Sequence, residues 1–138
     1  MLVGPAGLRD DKHPSADVLA LPPEQLPGML VSDIEVLKPY LPQKPDLDFV
    51  GARYREMTTV ARLLWDRPFD AKMPRHLHRL TMPTLLLWGE DDRLIPSRQA
   101  ETWRRFIPKA DIRIVKGAGH LVLDEKPEAV RAVQDFLG

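Results

Sequence analysis

Asp92 and His120 are the residues of this sequence whose types and spacing best suit catalysis. Asp92 ends the acidic run 90–92, which comes soon after the apolar segment 84–88. His120 lies 28 positions later, directly after the glycine-rich segment 117–119. A carboxylate that accepts the Nδ1–H of a histidine fixes the ring tautomer and leaves Nε2 free as a general base. The pair therefore indicates proton-transfer chemistry, which needs a nucleophile as a third member.

The elements around this pair have the order strand, acid, helix, strand, histidine, helix. Residues 84–88 form an apolar run too short for a helix and typical of a strand buried on both faces of a parallel sheet. A helical segment at about 97–107 and a second strand at 111–115 follow. A right-handed βαβ crossover brings the ends of both strands to one edge of the sheet, where catalytic groups collect. Asp92 and His120 are therefore expected to meet there.

Three alternative interpretations involve other acids and histidines. Asp91 competes with Asp92 for the role of the acid. A magnesium site at 90–92 is also conceivable because one or two carboxylates with water can hold that ion, but the three acids are consecutive and no second acidic strand end accompanies them. His76 and His78 are two residues apart and would not share a helix face, which argues against a metal-binding pair.

These motifs resemble the C-terminal half of the α/β-hydrolases. Trp88-Gly89-x-x-Asp92 is similar to the acid loop of that family, with Asp92 in the acid's place, and Gly117-x-Gly119-His120 is similar to its histidine loop. Residues 2–9 resemble the strand end before the family's lid insertion, and the helix from Pro127 resembles its closing helix. The resemblance implies that Asp92 orients His120 and that His120 acts as general base and acid, while Glu90 and Asp91 face solvent.

The nucleophile of that family has no counterpart in this sequence. In the family it occupies a G-x-S-x-G elbow upstream of the acid, and no such motif occurs here. The serines are Ser15, Ser32 and Ser97, and none lies in a predicted strand-turn-helix elbow. The resemblance thus implies an ester-type or related hydrolase that uses no cofactor. Its acid and base are present in this chain, and its nucleophile and oxyanion hole lie outside it. The isolated chain is expected to be inactive, and the alternative is a non-catalytic half-fold that serves as a subunit or binding module.

The predicted fold class is α/β, a partial α/β-hydrolase fold of about three parallel strands with flanking helices and a helical lid segment. By resemblance, residues 1–8 are a truncated strand end of the core, residues 9–80 the helical lid, and residues 81–138 the C-terminal part of the core. The chain is therefore expected to begin inside an element of a longer protein.

Four finer expectations concern burial and a substrate pocket. The clearest helix spans 47–65, where five residues at helical spacing are expected to pack against the core or lid: Val50, Tyr54, Met57, Ala61 and Leu64. By resemblance, four residues of this region are candidates for a substrate pocket: Phe49, Tyr54, Met57 and Trp65. The mixed-charge loop 9–12 is expected in solvent. The last helix is expected to bury Val130, Val133 and Leu137.

Composition narrows the classes of partner. Twenty basic and twenty acidic residues cancel, which gives no electrostatic argument for nucleic acid or an anionic membrane. The lack of cysteine excludes disulfides and cysteine-ligated metal, and cytoplasm is the default compartment. No stretch is long enough for a membrane span. The expected partners are a small-molecule substrate and either a second copy or a complementary N-terminal half, because the first strand would leave a bare sheet edge.

Overall fold

Three parallel strands form one sheet in the order β1-β2-β3, in a computed structural model that describes all of residues 1–138. β1 spans Leu2–Val3, β2 spans Thr84–Gly89 and β3 spans Ala110–Val115. All residues of the central strand β2 are buried, as a strand covered on both faces requires. The predicted buried strand at 84–88 and its neighbour at 111–115 are confirmed, each with one further residue.

Helices and a 3₁₀ helix occupy the connections and the C-terminus. Their bounds are Leu26–Leu30 for α1, Ile34–Tyr40 for the 3₁₀ helix, Leu47–Leu64 for α2, Pro74–Leu77 for α3, Gln99–Phe106 for α4, Val122–Glu125 for α5 and Pro127–Leu137 for α6. Proline lies in the first turn of α1, α3 and α6, where its missing N–H has no intrahelical partner to lose. None of these helices is both long enough and apolar enough to span a lipid bilayer.

The two faces of β2 pack into two separate hydrophobic clusters, because successive strand residues point to opposite sides. Leu86 and Trp88 pack with the α4 residues Ala100 and Trp103 on one face. Leu85 and Leu87 pack with Val115, Val122 and Ala129 on the other. Trp88 pairs with Ile114 and Gly89 with Val115, so β2 and β3 end at the same level. The loops that follow the two strands therefore start side by side.

The predicted buried face of the last helix is wrong by about one residue. Val130 and Leu137 are 40% and 71% exposed, while Ala129 is fully buried. The inward residues are Ala129, Ala132, Val133 and Phe136, which also have helical i, i+3, i+4, i+7 spacing. Of the three residues expected to be buried, Val133 therefore lies on the inward face and Val130 and Leu137 do not.

The helix predicted at 47–65 is confirmed as α2, but the expected packing of its apolar stripe is wrong. No residue of α2 is buried, and Val50 and Tyr54 are 54% and 75% exposed. Helical periodicity identifies which residues share a face and does not identify what covers that face. Val50, Tyr54 and Met57 of this stripe are exposed, whereas Ala61 and Leu64 near the end of α2 are half-buried.

In the loop 9–12, Arg9, Asp11 and Lys12 are exposed as expected, but Asp10 is not in solvent. Its side chain is only 7% exposed and accepts a 2.6 Å hydrogen bond from the Thr102 hydroxyl, as well as backbone N–H bonds from Lys12 and His13. Burial of the carboxylate acts to raise the pKa of Asp10, but these hydrogen bonds together outweigh it and lower the pKa below its usual value. Asp10 therefore attaches this loop to α4.

Candidate active site

The structure brings Asp92 and His120 together beyond the ends of β2 and β3. Oδ2 of Asp92 lies 2.8 Å from Nδ1 of His120. The Asp92 side chain is fully buried, whereas that of His120 is 21% exposed. Because the imidazole is partly exposed while the carboxylate is buried, part of the ring stays accessible to another group. Whether the pair is catalytic stays a prediction.

The other oxygen of Asp92 is held by backbone groups of its own loop. Oδ1 accepts hydrogen bonds from the N–H of Leu94 at 3.0 Å and of Ile95 at 2.8 Å. The carbonyl of Ile95 in turn accepts the indole N–H of Trp88 at 2.9 Å. An ionised carboxylate has only acceptor sites, so Oδ2 requires a donor from His120. This places the ring proton on Nδ1 and leaves the lone pair on Nε2.

The acid loop and the histidine loop are joined along their backbones. The N–H of Glu90 donates to Val115 and that of Asp91 to Ala118, each at 2.9 Å. A Cβ atom at Gly89 would overlap the carbonyl oxygens of Ala118 and Gly119. Glycine is therefore required where the two loops touch, which gives a steric reason for a glycine three residues before Asp92.

Gly4, directly after β1, lies against the side chains of Asp92 and His120. The N–H of Gly4 donates to Leu87 at 2.9 Å and thereby continues the pairing of β1 with β2. A Cβ atom at Gly4 would lie 3.2 Å from Nδ1 of His120 and 3.4 Å from Oδ2 of Asp92. Gly4 thus contributes to the site, although sequence reasoning did not assign it there. The available signal was a glycine directly after a strand.

The neighbouring acids have different surroundings from Asp92. Glu90 and Asp91 are exposed, and the carboxylate of Glu90 accepts the N–H of Gly117 at 3.3 Å. Asp92 alone of the three contacts His120. The structure contains no group of three or more side chains placed to hold a metal ion, and His76 and His78 are exposed at the end of α3. Asp92 is therefore the acid that the geometry pairs with the histidine.

The hydrogen bonds of the three serines go to groups other than the His120 ring. The hydroxyl of Ser97 donates to the carbonyl of Glu90 at 3.3 Å, and that of Ser15 accepts from Gln99 at 3.1 Å. Ser32 is bound through its backbone N–H to Glu125. No serine hydroxyl is hydrogen-bonded to the imidazole, whose bond is made through Nδ1.

A cleft of about 420 Å³ lies between residues 15–20 and the end of α2, with Leu64, Trp65 and Pro68 on its far wall. Trp65 is the only one of the four pocket candidates that lines it; Phe49, Tyr54 and Met57 do not. Neither Asp92 nor His120 borders this cleft. The predicted pair and the cleft are therefore separate features of the chain.

Glu125 is a further residue that sequence reasoning missed. Its two carboxylate oxygens accept the backbone N–H groups of Gly119 and Ser32, each at 2.8 Å. Its position five residues after His120 gives no sign of this contact, because Ser32 is remote in sequence. Only the folded chain reveals that Glu125 supports the histidine loop.

The comparisons with known proteins agree with this geometry. A family model described as the alpha/beta hydrolase family matches residues 2–133. The chain therefore belongs to the α/β-hydrolase family, and its three parallel strands with flanking helices are part of that fold, as predicted.

Particular relatives are similar over parts of their length. The uncharacterized hydrolase YugF of Bacillus subtilis is 32% identical over 65 residues, which are 46% of this chain and 24% of that protein. The 2-hydroxy-6-oxononadienedioate/2-hydroxy-6-oxononatrienedioate hydrolase of Cupriavidus pinatubonensis is 40% identical over 63 residues, which are 45% of this chain and 22% of that protein. The matched segments thus span about a quarter of these curated relatives.

Solved structures show the same fold over nearly the whole chain. The serine hydrolase involved in carbazole degradation, the CarC enzyme, has a TM-score of 0.61 at 23% identity, with 99% of this chain and 52% of that chain covered. The serine hydrolase CCSP0084 from Cycloclasticus zankles has a TM-score of 0.60 at 19% identity, with 99% and 53% covered. The chain thus spans about half the length of these two structures.

Proposed function

We propose that this chain supplies the acid and the base of a hydrolase that cleaves an ester-type or related bond through a Ser-Asp-His-like triad. Asp92 orients the imidazole, and His120 takes the proton of the nucleophile and returns it to the leaving group. The nucleophile comes from outside this chain. The observation on which the proposal depends is the 2.8 Å contact between the fully buried Asp92 carboxylate and Nδ1 of His120.

The electrostatics of the pair favour this division of roles. Two backbone N–H groups and the imidazole Nδ1 supply every hydrogen bond that Asp92 accepts. The negative charge of Asp92 next to the ring stabilises the imidazolium that forms when Nε2 accepts a proton. His120 is the partly exposed member of the pair, so its other nitrogen is the one that a nucleophile would meet. These steps require no cofactor.

The missing nucleophile sets the expected activity of the chain alone. No G-x-S-x-G motif is present, and no serine hydroxyl is hydrogen-bonded to His120. An oxyanion hole of this family also depends on backbone N–H groups next to the nucleophile. Without both, almost all of the rate enhancement is lost, so the isolated chain should not hydrolyse esters above background.

The proposal assigns residues 9–80 to a lid and residues 1–8 and 81–138 to the catalytic core. All three strands fall in the two core segments, whereas the segment between them is helical and irregular. The substrate is a small molecule, and an ester is the class to test first. One of the curated relatives is named as a poly(3-hydroxyalkanoate) depolymerase, a protein whose named substrate is a polyester.

An ester-hydrolysis assay tests the proposal. The chain and the same chain extended by the coding sequence upstream of Met1 are assayed with p-nitrophenyl esters, with His120→Ala and the exposed-histidine control His78→Ala. The extended protein should be active, should lose at least about 10³-fold in kcat with His120→Ala, and should keep its rate with His78→Ala. Equal rates for the two variants would contradict the assignment of His120.

A non-catalytic subunit or binding module is the alternative, and the exposed stripe of α2 favours it. Val50 and Tyr54 lie on a helix without a partner element, and β1 pairs on one side only. Both features fit a chain that self-associates or binds a complementary N-terminal half. Sedimentation over a dilution series tests self-association, which a cooperatively folding monomer at every concentration would contradict. In the ester assay, absence of hydrolysis by the extended protein would favour the non-catalytic module.

A further inference from the structure

The carboxylate of Glu125 connects two parts of the chain that are far apart in sequence. Oε1 accepts the N–H of Gly119 at 2.8 Å, and Oε2 accepts the N–H of Ser32 at 2.8 Å, across 93 positions. Hydrogen bonds to an ionised acceptor are shorter and stronger than those between neutral groups. One side chain therefore holds the residue before His120 and a residue that follows α1.

The backbone after His120 is attached to the same segment. The N–H of Leu121 donates to the carbonyl of Leu30 at 2.9 Å. The N–H groups of the residues on both sides of His120 are therefore hydrogen-bonded, that of Gly119 to Glu125 and that of Leu121 directly to Leu30. Because Nδ1 of His120 must stay within hydrogen-bond distance of Asp92, a shift of this backbone would move the ring relative to its acid.

Two side-chain contacts extend this attachment along residues 28–40. Arg93, next to the acid, donates to the carbonyl of Gly28 at 3.1 Å. The hydroxyl of Tyr40 donates to Asp124 at 3.1 Å. Residues 28–40 thus contact the acid loop, the histidine loop and α5, whereas α2, which follows them, has no buried residue. The first part of the intervening segment is therefore fixed to the site.

We propose that Glu125 is a positioning residue that fixes the backbone of His120 and couples it to residues 30–32. This proposal rests on the proposed function in one respect, because a fixed position of His120 matters for catalysis only if His120 is the general base. Displacement of residues 30–32, for example on entry of a substrate, would be transmitted through Glu125 to the histidine loop. Glutamine at this position has one acceptor oxygen and can satisfy only one of the two N–H groups.

Amide hydrogen exchange on the chain itself tests the coupling without any assay of activity. Glu125→Ala should speed exchange at Gly119 and Ser32 by roughly 10- to 100-fold, the range expected for loss of a hydrogen bond to a charged group. Glu125→Gln should speed exchange at one of the two and spare the other. Amides of β2 such as Leu86 should keep their rates. Glu128→Gln is the matched control, because Glu128 is exposed and makes no side-chain hydrogen bond.

The outcomes separate positioning from general stabilisation. Equal acceleration of exchange at Gly119, Ser32 and β2 would show that Glu125 only stabilises the whole fold. Unchanged exchange at Gly119 would show that its hydrogen bond to Glu125 has no effect. Either result overturns the proposal. In the extended hydrolase, Glu125→Ala should lower kcat by up to about 100-fold with little change in KM. If His120→Ala leaves hydrolysis unchanged, the proposed function fails, while the exchange result still decides the role of Glu125.

Discussion

Replacement of Asp92 by asparagine changes the paired site at a single atom. Asparagine keeps one oxygen, which can still accept the N–H groups of Leu94 and Ile95. It places an NH₂ group where Oδ2 lies 2.8 Å from Nδ1 of His120. Because that group is a donor, Nδ1 has to accept, and the ring proton moves to Nε2. The variant should therefore keep its loop and hold the histidine in the tautomer that cannot act as a base.

The size of the effect follows from the bonds that are exchanged. A hydrogen bond to a charged group contributes about 1.5–3 kcal/mol and a neutral one about 0.5–1.5 kcal/mol. The Asp92→Asn variant converts all three hydrogen bonds of Asp92 from charged to neutral ones, and removal of a buried charge offsets part of that loss. We expect its free energy of unfolding to fall by about 1–2 kcal/mol. In the extended hydrolase the wrong tautomer should lower kcat by about 10⁴-fold, as in triads studied by the same substitution.

Ring ¹⁵N NMR and urea unfolding measure the two consequences in the 138-residue chain. The native chain should show a protonated Nδ1 and an unprotonated Nε2 for His120, and Asp92→Asn should show the reverse. Asp91→Asn is the matched control, because it makes the same chemical change at an exposed neighbour. A native tautomer retained in Asp92→Asn would contradict the role of Oδ2 as the acceptor of the Nδ1 proton, as would a loss of stability equal to that of Asp91→Asn.

Three further perturbations test the fold around the site. The pKa of Asp10 is lower in the folded chain than in the unfolded chain, so the ionised carboxylate stabilises the fold above a pH of about 4. This stabilisation is lost as the pH falls through the pKa of the folded state. In urea unfolding, the difference in stability between the native chain and Asp10→Asn should therefore shrink towards low pH. Leu86→Ala should lower the free energy of unfolding by about 2–5 kcal/mol because Leu86 is fully buried. The control Leu47→Ala, at an 89% exposed position, should change it by no more than about 0.5 kcal/mol. Similar losses in the two variants would contradict the assignment of Leu86 to the core. Gly89→Ala should cost about 1–3 kcal/mol by thermal unfolding because its Cβ would overlap the carbonyl of Ala118, and an unchanged melting temperature would show that the loops are not in such close contact.

The central strand and its acid were predictable because each has a strong local cause. A strand buried on both faces needs a nearly continuous apolar run, and residues 84–88 supply one. The run ends at Gly89, which the structure explains by the close approach of the histidine loop. The order of strands and helices then limits where Asp92 and His120 can lie relative to each other.

Contacts between remote segments were not predictable from the sequence. Asp10 reads as a solvent-exposed charge until Thr102, 92 positions away, is seen to donate to it. Glu125 likewise has no local feature that indicates its bond to Ser32. A single charged residue has the same local pattern whether it faces water or accepts buried hydrogen bonds, so its burial depends on the partner that folding supplies.

The apolar faces of α2 and α6 illustrate a second limit. On α6, two overlapping sets of apolar residues have helical spacing, and the set that contains Ala129 is the one that packs against the sheet. On α2, the spacing is helical, yet Tyr54 is 75% exposed. Periodicity therefore predicted both helices correctly and could not identify the surface that each one contacts.

The coding sequence directly upstream of Met1 provides the most direct test of the claim that Asp92 and His120 belong to a triad whose nucleophile lies outside this chain. We expect an in-frame G-x-S-x-G motif there, preceded by an apolar strand pattern and followed by a helical one. A stop codon close to Met1, with no such motif in frame, would contradict the claim and would favour the non-catalytic subunit instead.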